Sequence, residues 1–173
     1  RAEEVRAASI TAVHLPQGGM PALGDNPLFL GCADYRSTIA SNGESSGFTF
    51  PEEMRRHADK GTALVTDKDP GDAEIAEIVS QAAAHSCIAL GTYNGHILQG
   101  QLRLAKALAA TGLPMILVAL RNPYDLRNMP DHVAALAGWE YTRPLFDALW
   151  PVLNGTARPT GKLPLLTLTK AAE

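Results

Sequence analysis

Five histidines, at positions 14, 57, 85, 96 and 132, are the first residues to test for chemistry. None forms an i, i+4 pair or an H-E-x-x-H run, so they do not outline a metal site. His96 alone follows a turn at a strand end, where α/β proteins collect ligands, but a helix-start or solvated histidine explains it better. Gly43-Glu44-Ser45-Ser46-Gly47 matches the G-x-S-x-G pattern of esterases. That chemistry needs the serine on a strained turn between a strand and a helix, and here it lies inside a polar, Gly- and Ser-rich stretch. Gly155 to Lys162 imitates a phosphate loop. Five residues separate its glycines instead of four, Leu163 stands where Ser or Thr is required, and a proline interrupts the amides.

Cys32 and Cys87 sit in apolar runs without a C-x-x-C partner. They read as buried, reduced thiols, with a disulfide across neighbouring strands left open. The 18 carboxylates allow many acid pairs, but sequence cannot place two of them ~5–10 Å apart as glycosidic chemistry requires. Asp125 and Glu140 fall just past expected strands. Asp125 reads as a turn-pinning residue and Glu140 as a partner for Arg143. The residues themselves therefore point to no catalytic group, no metal and no cofactor.

The elements that would position these residues come from composition and periodicity. With 173 residues, 46% hydrophobic and 19% charged, the chain can bury one continuous core. A net charge of −3 without a basic stripe argues against nucleic-acid binding. The longest apolar run, Pro114 to Leu120, is strand-sized and far short of the ~20 residues that span a bilayer. Arg1-Ala2-Glu3-Glu4-Val5-Arg6 is charged and helix-like, unlike a signal peptide, and reads as the interior of something longer. Asn154-Gly155-Thr156 is formally a glycosylation sequon, but Asn-Gly reads better as a helix-ending turn.

Short apolar runs alternate with helical patterns. Strands are expected near Ser9–Val13 and at Pro27–Ala33, Thr62–Thr66, Cys87–Thr92, Met115–Leu120, Val133–Trp139 and Leu163–Leu168. Helices are expected from Pro51 to Lys60 with Gly61 as cap, after Asp72, from Ile97 to Ala110 and from Arg143 to Leu153. The stretch 34–50 reads as irregular. This alternation predicts a three-layer αβα sandwich, flavodoxin-like or Rossmann-like, around a mostly parallel sheet of five or six strands with Met115–Leu120 central.

Three segments taken in order carry a resemblance. They are Gly91-Thr92-Tyr93-Asn94-Gly95-His96 with Gln99 or Gln101 and the helix Leu102–Ala110; Pro114 to Leu120 running into Arg121-Asn122-Pro123-Tyr124-Asp125-Leu126; and Gly138-Trp139-Glu140-Tyr141-Thr142, a helix ending in Asn154-Gly155, then Gly161-Lys162-Leu163-Pro164. The pattern resembles the C-terminal domain of glycoside hydrolase family 3, in its bacterial N-acetylglucosaminidase branch. Ser9-Ile10-Thr11-Ala12-Val13 is similar to that domain's entry segment.

The resemblance implies a single domain over residues 1–173 that lacks its catalytic partner. Enzymes of this branch remove terminal β-linked N-acetylglucosamine with retention, through a covalent glycosyl intermediate. Their aspartate nucleophile, K-H-F-P-G-H-G segment and His/Asp acid–base pair belong to a preceding (β/α)8 barrel. No such motif occurs here, and 173 residues cannot also hold a barrel of ~250. The implied role is accessory, with the barrel as partner and amino-sugar glycans as ligands. The implied substrate or interdomain surface is Tyr93, Asn94, His96, Arg121, Asn122, Tyr124, Asp125 and Trp139. Two alternatives stand beside it. A free-standing carbohydrate-binding module would stack sugars on Tyr93, Tyr124, Trp139 and Tyr141. A small flavodoxin-like hydrolase would need a nucleophile–base pair, which the sequence does not offer.

Overall fold

In β5, Met115–Ala119, successive residues go to opposite faces: Ile116 and Val118 join one apolar cluster, Met115, Leu117 and Ala119 the other. A strand buried on both sides needs a layer over each face, and the chain supplies helices for both. These features come from a computed structural model that describes residues 10–34 and 47–159. The expected opening helix, the G-x-S-x-G serine and the strand Leu163–Leu168 fall outside those residues.

The described strands are β1 (Thr11–His14), β2 (Pro27–Cys32), β3 (Thr62–Thr66), β4 (Cys87–Thr92), β5 and β6 (Val133–Ala137). They form one six-stranded sheet in the order β1-β6-β5-β4-β2-β3. All pairings are parallel except the antiparallel edge β1–β6. Helices α1 (Phe50–Ala58) and α4 (Arg143–Leu153) cover one face; α2 (Asp72–Ala82) and α3 (Gly100–Ala109) cover the other. The three-layer α/β sandwich is as expected, with β4 and β5 central.

Local chemistry explains the helix ends. The Thr49 hydroxyl accepts from the Glu52 amide at 3.3 Å, Pro51 lies in the first turn of α1, and Glu52 and Glu53 meet the positive end of its dipole. The helix stops at Ala58, two residues before the expected Lys60, because Asp59 turns left-handed at φ 53°. Gly61 is also left-handed, at φ 84°, and a Cβ there would meet the Pro27 carbonyl oxygen at 2.3 Å. That close approach brings the start of β3 beside β2. In α4, Thr142 accepts from the Leu145 amide, and Leu145, Phe146, Leu149, Val152 and Leu153 point into the core. Gly155, at φ 83°, ends the turn after it, as the Asn-Gly pair suggested.

Two boundaries differ from expectation. Helix α3 begins at Gly100, not Ile97, and Ile97 is 66% exposed. Gly100 packs so tightly that a Cβ would lie 2.5 Å from the Asp69 carboxylate and the Pro70 carbonyl oxygen. Its amide donates to that carboxylate at 2.8 Å, which starts the helix there. Strand β6 ends at Ala137, and Trp139, at φ 68°, turns the chain out of the sheet instead of extending it.

The cysteines are free and buried. Cys87 pairs in register with Pro27, at the opposite end of β2 from Cys32. At ~3.3 Å per residue that separation far exceeds the ~7 Å Cα limit of a disulfide, which closes the alternative left open above. Burial pushes both thiols up to about 12, so neither is a nucleophile at neutral pH.

Candidate functional site

The strand order places a topological switch between β2 and β4. The chain moves outward to β3 on one side and through β5 and β6 on the other. Open α/β sheets bind ligands at the carboxyl ends of strands flanking such a switch. A depression of about 260 Å³ lies at those ends, lined by Asp34, Tyr93, Arg121, Trp139, Glu140 and Tyr141. Tyr93, Arg121 and Trp139 of the expected surface therefore come together.

Three of the wall residues, Tyr93, Arg121 and Tyr141, are held by hydrogen bonds. The Tyr93 amide donates to Gln101 Oε1 at 2.8 Å, and Gln101 Nε2 donates to the carbonyls of Lys68 and Tyr93. Gln101 is itself buried, so one side chain fixes the loops after β3 and β4 together. Arg121 Nη1 donates to the Tyr93 hydroxyl at 2.8 Å, joining the β4 and β5 exits. The Tyr141 hydroxyl donates to the Cys32 carbonyl at 3.0 Å and accepts from the Phe50 amide at 2.8 Å. It thereby ties the β6 exit to the end of β2 and the start of α1. Burial raises its pKa above the ordinary phenol value, so it stays a neutral hydroxyl.

The remaining expected residues group a short distance away. Asn94, left-handed at φ 56°, turns the chain after β4, and its carbonyl accepts from Ile97 and Leu98. Asn122 caps a 3-10 helix, Pro123–Leu126, by accepting from the Tyr124 amide at 3.0 Å. Asp125 is 0% exposed and accepts from the amides of Gly95 (2.9 Å) and His96 (2.7 Å). It pins the loop after β4, not only its own turn. Tyr124 is 43% exposed and carries the Arg127 guanidinium 4.4 Å over its ring, so it is a surface residue beside the strand ends. Of these five residues, His96 and Tyr124 line a groove of about 330 Å³ together with Leu102, Lys106, Arg127, Asn128 and Met129, whereas Asn94, Asn122 and Asp125 do not line it.

Sequence reasoning missed several of these roles. Glu53 looked like a dipole-complementing acid in the first turn of α1. It is buried and ion-paired with both Arg56 (2.7 Å) and Arg143 (3.5 Å), so Arg143 reaches across to α1. Asp34 was passed over as part of an irregular stretch, although its place two residues past β2 was a usable signal. The anchoring by Gln101 depends on the fold and left no local mark.

Chemically, the depression offers the carboxylates of Asp34 and Glu140, the Arg121 guanidinium, two phenols and an indole. The Tyr141 hydroxyl is engaged in both directions and the nearby Cys32 thiol is held protonated, so neither of these serves as a nucleophile. Among the described residues, no group of three His, Cys, Asp or Glu could hold a metal ion. Also among them, no helix is long and apolar enough to cross a membrane.

No protein-family model and no curated protein sequence matches the chain. Solved structures do. A glycoside hydrolase family 3 β-N-acetylglucosaminidase from Paenibacillus sp. FPU-7 superposes with a TM-score of 0.79 at 24% identity, over 94% of this chain and 31% of that one. A fungal multi-domain family 3 β-N-acetylglucosaminidase gives 0.69 at 18% identity, over 94% and 19%. A β-glucosidase from Listeria innocua, bound to isofagomine, gives 0.70 at 15%, over 91% and 25%. At these identities the likeness is one of fold. The chain spans about a third or less of the length of each.

Proposed function

We propose that residues 1–173 form the accessory C-terminal α/β domain of a family 3 glycoside hydrolase, seated by its strand-end face against a (β/α)8 catalytic barrel. The observation that carries this reading is the fold likeness over 94% of the chain to a portion of much longer family 3 enzymes. The ordered R-N-P-Y-D-L and T-Y-N-G-H segments support it, because their residues build turns braced against one another. We assign the activity of the whole enzyme to removal of terminal β-linked N-acetylglucosamine. Two of the neighbours named above carry that activity in their names, including the one at TM-score 0.79.

The geometry suits a docking face. The exits of five parallel strands are cross-tied by Tyr93–Arg121, Tyr141–Phe50, Gln101 and Asp125, so the surface is presented with little entropy left to lose on association. It suits a free-standing carbohydrate-binding module less well. The rings of Tyr93 and Tyr141 are buried and Arg127 lies over the Tyr124 ring, which leaves Trp139 as the one ring of the four with no such cover.

The purified chain is expected to release no chromophore from 4-nitrophenyl β-N-acetylglucosaminide above the buffer rate, whereas an enzyme joining it to a barrel does. Turnover by the chain alone at a rate comparable to an intact glycosidase sinks the reading.

A further inference from the structure

The groove between α3 and the 3-10 helix has a charge character that the accessory role does not require. Its lining includes Lys106 and Arg127 and not a single carboxylate. Both cations are exposed, and among the described residues neither forms an ion pair. Asp125, next to Tyr124 in the chain, turns its two oxygens to the amides of Gly95 and His96, with Oδ1 also 3.5 Å from His96 Nδ1, and forms no ion pair with Lys106 or Arg127. In a chain of net charge −3, two uncompensated cations converging on one concavity concentrate positive potential there.

The groove is also preorganised. Arg127 is held over the Tyr124 ring at 4.4 Å, which fixes its guanidinium with its donors available. Asn128 at φ 60° sets the turn that carries Arg127 and Met129. Leu102 and Met129 provide apolar wall, while His96, Asn128 and Tyr124 provide hydrogen-bonding groups. A volume of about 330 Å³ lies at the small end of the ~300–1,000 Å³ range of small-molecule sites.

We propose that this groove binds a monosaccharide-sized anion, its phosphate ester or carboxylate held between Lys106 and Arg127 and its carbon skeleton against Leu102 and Met129. The inference does not rest on the accessory-domain reading, because every group it uses belongs to this chain.

The test is calorimetric titration of the chain with glucose 6-phosphate, glucuronate and glucose, three ligands with nearly the same ring and different charge. At least one of the two anions is expected to bind saturably, at least about tenfold tighter than glucose. K106Q and R127Q are each expected to weaken it by about tenfold, the scale of one charge-assisted hydrogen bond. Both substitutions alter exposed side chains, and unchanged circular dichroism would establish that the fold is intact. The phosphate and uronate arms identify which anion the groove prefers. Binding of glucose as tight as either anion, no saturation by either anion up to about 10 mM, or indifference to both substitutions overturns the proposal.

Discussion

Replacing Asp125 with alanine is expected to lower the unfolding free energy by about 2–4 kcal/mol, the scale of two buried amides stripped of a charged acceptor. The carboxylate is 0% exposed and takes the Gly95 and His96 amides at 2.9 and 2.7 Å. Alanine leaves both donors facing the space the carboxylate filled, with no acceptor in its place. Asp125→Asn keeps the shape but turns one nitrogen donor toward an amide donor, so an intermediate loss is expected. Denaturant unfolding measures both. Hydrogen exchange adds a local readout: the Gly95 and His96 amides should exchange faster in Asp125→Ala, well before global unfolding. Stability within about 0.5 kcal/mol of the parent would contradict the buried-clamp assignment.

Gly91→Val is expected to be worse, with a loss of about 3 kcal/mol or more through overpacking. A Cβ at this position would come within 2.6 Å of Phe50 Cδ1 and 2.9 Å of Leu120 Cδ1. Both neighbours are fully buried, and the Phe50 backbone is anchored by its amide donating to the Tyr141 hydroxyl, so the ring has little room to move aside. For a chain of this size the thermal midpoint should fall by roughly 10 °C. Gly112→Ala is the control. Gly112 has φ 75° with open space around it, so only the conformational cost of about 1 kcal/mol applies. Equal losses at the two positions would show that packing over β4 is not what Gly91 secures.

Why some of this was readable beforehand, and some not, comes down to the range of the interactions involved. Strand β5 is apolar on both faces and the Asn122-Pro123 exit follows from proline's missing amide, so both were legible locally. The start of α3 was not. Hydrophobic periodicity runs on through Ile97, and what delays the helix is the Gly100 amide meeting Asp69, 31 residues earlier. Trp139 was expected inside a strand because aromatic residues favour strands, but its left-handed backbone ends the strand instead. The sequence offered the strand-end surface as one set of positions, and no local signal separated a depression from a basic groove. The loop that brings His96 to the groove is pinned by Asp125, about 30 residues away in the chain. Long-range hydrogen bonds of this kind leave no period or spacing in a sequence.

The central claim is that the strand-end face is an interdomain surface. Hydrogen exchange compared between this chain alone and the same chain joined to the proposed (β/α)8 barrel tests it most directly. The account predicts that exchange slows in the joined enzyme at residues 93–96, 121–126 and 138–141, while the amides of α2, on one outer face of the sandwich, exchange alike in both. Identical exchange at the strand ends in the two forms would contradict it.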